Sequence, residues 1–510
     1  MQTEDQSEVI GFLEAASTHG GATVERIDTH ASVVFLAGSR AWKLKRAVRY
    51  EFLDFSTAAR RREMCEAELR ISQRISPGLY RGVTPVTRGP GELQLGGPGD
   101  AVDWVIEMVR FDQDHLFDRL AERGALPEEW MTPLAAAIAS AHAGAERLSD
   151  RGGVAGIRWV IDGNEEGFAE PFARILDSSV STALTRAARA EVDRQQDLLE
   201  SRRIRGFVRR CHGDLHLRNI VLLNGQPTLF DAIEFNDAIS CIDVLYDVAF
   251  LVMDLWHRGL RSHANRVLNA YVHETGYEGL PLLPLYLSCR AAVRAKTESM
   301  EAELQHEAGR RAELEEAARQ YLALADDLLR PRRPRFVAIG GLSGTGKSTL
   351  AQLLAPSLGS APGAVVLRSD EIRKRLCGVG PLDRLGPQSY TTEVSARVYG
   401  TLAETASSLV SYGHAVIVDA VFARLSQREA IERLAETTGV PFVGLWLDAP
   451  ESTRLGRVET RRLDASDAEG LVVRDQSALE IGPVSWERID ASLSTDAVRQ
   501  QASSRLEART

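Results

Sequence analysis

Cysteine is scarce. Five are scattered over 510 residues (Cys65, Cys211, Cys241, Cys289, Cys377), with no C-x-x-C pair and no metal-like spacing. That excludes a disulfide framework and predicts buried thiols in a reducing, cytoplasmic setting. Long apolar runs are missing too: no stretch approaches the roughly 18 residues of a membrane-crossing helix. Basic charge is in deficit, with 61 Lys and Arg against 71 Asp and Glu and a net charge of −10, which argues against a general nucleic-acid binder. The opening MQTEDQSEVIGF is acidic where a secretory or mitochondrial leader is basic. What remains is an ordinary balance of 44% hydrophobic and 26% charged residues, on a chain long enough for two or more domains.

The clearest seam is RPRRPR at 330–335, whose prolines and arginines predict an exposed connector. A helical stretch at 286–329 precedes it, and FVAIGG, a short β-branched run, follows as the first strand of a new domain. Before the seam, SVVFL and AWKL flank the turn AGSR and predict a hairpin. Residues 57–75 predict a helix, 100–110 a strand, 152–167 a glycine-rich loop, and 220–235 a short β patch among helices. The expected order is a small lobe over about 1–110, a helical lobe over 111–329, the linker 330–335, and a second domain over 336–510.

Residues 341–348 read GLSGTGKS, a full match to G-x-x-x-x-G-K-[ST] between a strand and a helix. Gly341, Gly344 and Gly346 let backbone N–H groups curl around phosphate oxygens at a helix N-terminus. Lys347 is placed to neutralise β- and γ-phosphates and Ser348 to ligate magnesium, so Gly341, Leu342, Ser343, Gly344, Thr345, Gly346, Lys347, Ser348 and Thr349 are the expected ATP contacts. Three further strands follow, in VVLRSDEIRKRL, AVIVDAVF and GLWLDAP. Strand–helix alternation implies an α/β domain with a parallel sheet, with Asp370 and Asp419 at its carboxyl edge. Asp370 is either a hydroxyl base or a helix N-cap; Asp419 is expected to orient magnesium. Arg457 and Arg461, one turn apart, are expected to fold over the transferring phosphoryl group, or else to form a solvated helix face.

The larger part carries HGDLHLRN at 212–219 and LFDAIEF at 229–235. Asp214, Asn219 and Asp231 sit at neighbouring strand ends, the set expected of a hydroxyl base with magnesium ligands. In the small lobe, AWKLK offers Lys43 and Lys45 on one strand face; Lys43 is preferred and Lys45 is the reserve. Glu68 falls in the apolar stripe of the helix at 57–75, where a carboxylate needs a cationic partner. Glu234 and Asp237 are candidate acceptor contacts, while Asp243 and Asp247 read as caps of the helix at 243–257.

HGDLHLRN and FDAIEF resemble the motifs of aminoglycoside phosphotransferases, which implies an α+β protein-kinase-like bilobal domain. By that resemblance Asp214 is the catalytic base, Asn219 and Asp231 hold Mg2+, and His212 is structural. The second part, through GLSGTGKS, RSDEIR, VIVDA and R-x-x-x-R, resembles small P-loop kinases of the gluconate kinase, chloramphenicol phosphotransferase and polynucleotide-kinase-like group. The whole chain resembles bacterial two-domain proteins pairing such a phosphotransferase-like domain with a P-loop kinase- or ATPase-like domain. The implied function is a bifunctional ATP-dependent kinase acting on small-molecule hydroxyls or amines; the alternative is a single kinase whose P-loop domain is a regulatory nucleotide-binding module.

Overall fold

The computed structural model describes residues 3–50, 53–169, 174–380, 382–460, 465–467 and 470–508. They form two compact units, Met1–Arg258 with Cys289–Ala323, and Gly259–Ser288 with Leu324–Thr510.

The first unit opens with α1 (Ser7–Glu14) and an antiparallel sheet in the order β1-β2-β3-β8-β6-β7, made of β1 (Val24–Asp28), β2 (Ser32–Ala37), β3 (Arg40–Lys45), β6 (Tyr80–Arg88), β7 (Leu93–Leu95) and β8 (Asp100–Val109). A minimal hairpin, β4 (Arg49–Tyr50) with β5 (Leu53–Asp54), follows β3. The expected β2–β3 hairpin is present, with Ala37 paired to Arg40 and Gly38 at φ +57°, a conformation that suits glycine in a two-residue loop. α2 (Ala58–Ile75) starts at Thr57, whose hydroxyl accepts from the Arg60 N–H, and crosses β6 and β8. Leu36, Ala41, Cys65, Tyr80, Ile106 and Met108 form the core between sheet and helix.

The remainder of this unit is mainly helical: α3 (Phe117–Glu122), α4 (Met131–Ala143), α5 (Gly153–Phe168), α6 (Ser178–Arg194), α7 (Gln196–Ile204), α8 (Asp237–Ser240) and α9 (Val244–His257). Two small antiparallel ladders interrupt them, β9 (Val208–Arg210) with β12 (Cys241–Asp243) and β10 (Ile220–Leu223) with β11 (Gln226–Leu229). The loop expected at 152–167 is instead helix α5. Its Ile157, Val160, Ile161, Asn164 and Phe168 recur at helical spacing on a buried face, and tertiary burial overrides the weak propensity of its glycines. At Gly167 a Cβ would come within 2.2 Å of Lys296 Cδ, so that glycine admits the lysine stem. Four cysteines are buried as expected, but Cys377 is only half-buried.

The second unit holds β13 (Phe336–Gly340), α13 (Lys347–Leu354), β14 (Val365–Arg368), α14 (Ser369–Leu376), α15 (Thr392–Ser411), β15 (Val416–Asp419), α16 (Leu425–Thr438), β16 (Phe442–Asp448), α17 (Glu451–Thr460), α18 (Gly470–Ser477), β17 (Glu487–Asp490) and α19 (Thr495–Glu507). Its five strands are parallel in the order β14-β15-β13-β16-β17. Before these in the chain run α10 (Arg261–Thr275), which belongs to this unit, and α11 (Leu283–Leu304) and α12 (Ala308–Leu329), most of whose residues belong to the first unit.

Residues 259–288, placed by sequence before the connector, group with this second unit. Helix α10 lies along edge strand β14 and closes it with side-chain amides. Asn269 Oδ1 accepts from the Val366 N–H at 2.7 Å, its Nδ2 donates to the Ala364 carbonyl at 3.2 Å, and Asn265 Nδ2 donates to Pro362 and Ala364 carbonyls at 3.1 and 3.0 Å. One asparagine thus satisfies the two backbone groups that a neighbouring strand would otherwise pair. His414 Nε2 lies 2.9 Å from the Leu280 carbonyl. Cutting at RPRRPR is therefore expected to leave 336–510 with an uncovered edge. That fragment should be aggregation-prone and melt below the full chain, as thermal unfolding and sedimentation would show; a soluble, cooperative 336–510 fragment would contradict this.

Candidate active sites

In the first unit β3 presents Lys43 and Lys45 to the fully buried Glu68 of α2. Lys43 Nζ donates to Glu68 Oε1 at 2.8 Å and also to Asp231 Oδ1; Lys45 Nζ donates to Glu68 Oε2 and to Glu234 Oε1, each at 2.6 Å. The two lysines are thereby distinguished. Lys43 joins the helix carboxylate to Asp231, while Lys45 is sealed in by Glu234. Burial alone would lower both ammonium pKa values, but Asp231 and Glu68 around Lys43, and Glu234 and Glu68 around Lys45, outweigh it and raise them. Glu234, expected as an acceptor contact, is instead a buried counter-ion whose carboxyl is pushed up by burial. Asp237 pairs with Arg210 at 2.7 Å.

The loop 212–219 is clamped from α9. Asp247, expected as a cap, is fully buried and accepts from the N–H groups of His212 (3.2 Å) and Gly213 (2.9 Å), with His142 Nε2 at 3.0 Å. Asp243 does cap α9 through the Leu245 N–H, and it also pairs with Arg202. Gly213 adopts φ +83°, a backbone conformation that favours glycine. His212 Nε2 lies 2.8 Å from the Phe230 carbonyl, a packing role. Asp214 Oδ2 accepts from Asn219 Nδ2 at 2.9 Å and lies 3.2 Å from His216 Nε2. Burial works to raise the Asp214 pKa, but His216, His212 and Arg294 outweigh it and hold the carboxylate well below its ordinary range. Asp231 follows β11 at φ +62°, its N–H donating to the Tyr80 hydroxyl at 2.9 Å.

In the second unit, strand β13 ends in the GLSGTGKS loop and α13 begins at Lys347, with Gly346 as N-cap at φ +90°. A Cβ at Gly344 would lie 2.6 Å from the Arg454 carbonyl oxygen and one at Gly341 2.6 Å from that of Leu447, so both glycines are required by close approach. Ser348 Oγ donates to Asp419 Oδ2 at 2.5 Å, a pair of hard oxygens suited to magnesium. Arg368 Nη2 donates to the same Ser348 Oγ at 3.0 Å. Asp370 is not an N-cap: Arg368 holds that position, and Asp370 lies inside the first turn of α14. Burial and then the neighbouring Asp419 raise its pKa. Arg457 Nη1 is 3.4 Å from the Thr345 carbonyl, at the loop; Arg461 lies outside the described residues. A cavity of about 1320 Å³ is lined by Lys347, Ser348, Asp370, Arg373, Asp419 and Arg457 among others.

Two family models match the chain: that of the phosphotransferase enzyme family over 33–283 and that of an AAA domain over 336–479. Over 480 residues the chain is 30% identical to an uncharacterized protein of Mycobacterium tuberculosis, covering 91% of this chain and 92% of that protein. The chain belongs to this two-domain family. An adenylyl-sulfate kinase of Myxococcus xanthus is 35% identical over 118 residues, 23% of this chain and 59% of that enzyme. Among solved structures, a choline/ethanolamine kinase family protein of Mesorhizobium loti aligns with 63% of this chain and 99% of its own at 13% identity and a TM-score of 0.36.

The family member thus carries two kinase-type domains, and no helix among its described residues is long and apolar enough to cross a membrane. Two of its site features go beyond what the motifs specify: RSDEIR contains Arg373 but does not fix its partners. Arg373, one turn after Asp370, is buried, stacks on Tyr390 at 4.7 Å and bonds the Ser389 carbonyl at 2.7 Å, yet its Nε has no partner among the described residues. The other is a compositional signal. The chain has only five lysines (Lys43, Lys45, Lys296, Lys347, Lys374), and not one is exposed. Surface cations here are arginines, so a lysine marks an interior or phosphate-handling position.

Proposed function

We propose that this protein is a bifunctional, magnesium- and ATP-dependent phosphotransferase, each domain moving the γ-phosphoryl group of ATP to a small-molecule hydroxyl. One observation supports the reading: each unit holds a lysine, oxygen-bearing side chains suited to a magnesium ion and a separate carboxylate that we propose as the base. In the first unit these are Lys43 with Glu68, Asn219 with Asp231, and Asp214. In the second they are Lys347 in its loop with Arg457 beside it, Ser348 with Asp419, and Asp370. Mg2+ when bound would neutralise phosphate charge; the chain's own groups orient ATP and take the acceptor proton.

The acceptor of the second site is proposed to carry an anionic group. A guanidinium buried without a carboxylate partner is costly; Arg373 has none among the described residues, and it lines the cavity one helical turn from the proposed base. Calorimetric titration of the full chain with a non-hydrolysable ATP analogue and Mg2+ is expected to saturate at two sites, with Lys43→Met and Lys347→Ala each removing one. Saturation at one site would overturn bifunctionality. An unbiased metabolite screen for phosphorylated products would then name the acceptors.

A further inference from the structure

We infer that His216 is a positioning residue for phosphoryl transfer in the first unit: held in one tautomer by the backbone, it donates to one oxygen of Asp214 and leaves the other to face the acceptor hydroxyl. The inference rests on reading Asp214 as the base.

The tautomer follows from two contacts. His216 is the N-cap of the single turn Leu217–Asn219, and its Nδ1 accepts from the Arg218 N–H at 3.3 Å. An Nδ1 that accepts carries no hydrogen, so in the neutral ring the hydrogen sits on Nε2. That Nε2 lies 3.2 Å from Asp214 Oδ2. The ring is wedged edge-on against Phe250 of α9, centroids 5.3 Å apart, and the next residue is fixed by its own N–H bond to Asp254 Oδ2 at 3.0 Å. Neither ring rotation nor loop drift is free.

Asn219 Nδ2 donates to the same Asp214 Oδ2 at 2.9 Å and to the Asp214 carbonyl at 2.9 Å. Asn219 Nδ2 as donor and His216 Nε2 as a close neighbour, both from one short turn, thus lie against Oδ2, and Oδ1 receives no side-chain donor among the described residues. A carboxylate gripped by one oxygen has its torsion set, which is what a base aimed at a single hydroxyl needs. In the transfer, the acceptor oxygen bonds to the γ-phosphorus as the bond to the β,γ-bridging oxygen breaks. The hydroxyl proton passes to Asp214 Oδ1, and ADP leaves with the bridging oxygen's electron pair. His216 gives up no proton in this step.

The test uses the full chain carrying Lys347→Ala to silence the second site, with MgATP and water as acceptor, and reads ADP release. His216→Ala should lower kcat about tenfold or more with KM for ATP unchanged, because the lost bond acts on the base and not on nucleotide binding. His216→Gln, whose side-chain amide presents an N–H to the same oxygen, should recover kcat to within about threefold of the parent. In the unsubstituted protein, 15N-histidine NMR should show His216 with an unprotonated Nδ1, a readout that needs no variant to fold. A kcat for His216→Ala within about twofold of the parent, a glutamine variant no better than alanine, or an Nδ1–H tautomer would each overturn the inference. Asp214→Asn separates the two readings. If it leaves turnover intact, the base assignment itself fails and this inference falls with it; if it abolishes turnover while His216→Ala does not, only the role of His216 fails.

Discussion

Asp214→Asn is expected to lower phosphoryl transfer by the first unit by about 10²–10⁴-fold, the usual range for a placed base, while ATP still binds. The substitution is close to isosteric, and an amide oxygen still accepts from Asn219 and lies beside His216 Nε2, so the turn at 217–219 keeps its geometry. What disappears is the ability to take a proton. On the proposed function nucleotide affinity rests on other groups, Lys43 with its Glu68 and Asp231 partners, which the change does not touch. Transfer measured in a Lys347→Ala background, beside ATP binding on the same sample, isolates this site. Transfer within a few-fold of the parent would mean that Asp214 is structural.

In the second unit Asp370→Asn and Lys347→Ala are expected to fail differently. Asp370→Asn should keep ATP binding, which comes from the loop amides and Lys347, and lose transfer by roughly 100-fold or more. Lys347→Ala should lose both. Stability adds an independent signature. The Asp370 carboxyl has a raised pKa in the folded chain, through burial first and Asp419 second, and a raised acid costs folding stability wherever it is ionised. That cost is present above the folded pKa and disappears as pH falls below the unfolded value. A neutral asparagine removes it, so Asp370→Asn should melt at or above the parent at neutral pH, with the gain fading in acid. An inactive variant that also melts well below the parent would point to misfolding. One with full transfer would leave the second site a nucleotide-binding module without a base at Asp370.

Much of both candidate sites is legible in contiguous motifs. GLSGTGKS between a strand and a helix predicts its own backbone, because glycines at +141°, +85° and +90° and a helix starting at Lys347 are local matters. HGDLHLRN likewise carries the candidate base and its asparagine five residues apart, joined by a side-chain hydrogen bond. Elsewhere local pattern misleads. The glycines at 152–167 suggest a loop until the buried stripe of α5 is packed, and Asp247 looks like a cap until its carboxylate is seen holding the loop of His212 and Gly213.

Sequence by itself determined the chemistry available: two motifs of phosphate-handling type, their candidate bases, a lysine pair on one strand face and a parallel-sheet domain after the connector. Those depend on neighbours a few residues away, where backbone geometry is set by glycine, capping and strand alternation. Only the tertiary structure decided which lysine meets Asp231, 188 residues distant, and which is sealed by Glu234, 189 residues distant. It also decided that residues 259–288 cover the edge of the second sheet, and that Arg373 is buried with a donor unpartnered among the described residues. Each of these is a pairing between groups far apart in sequence. Its outcome rests on desolvated charge and unpaired backbone finding partners when the elements close together, and no local pattern carries that information.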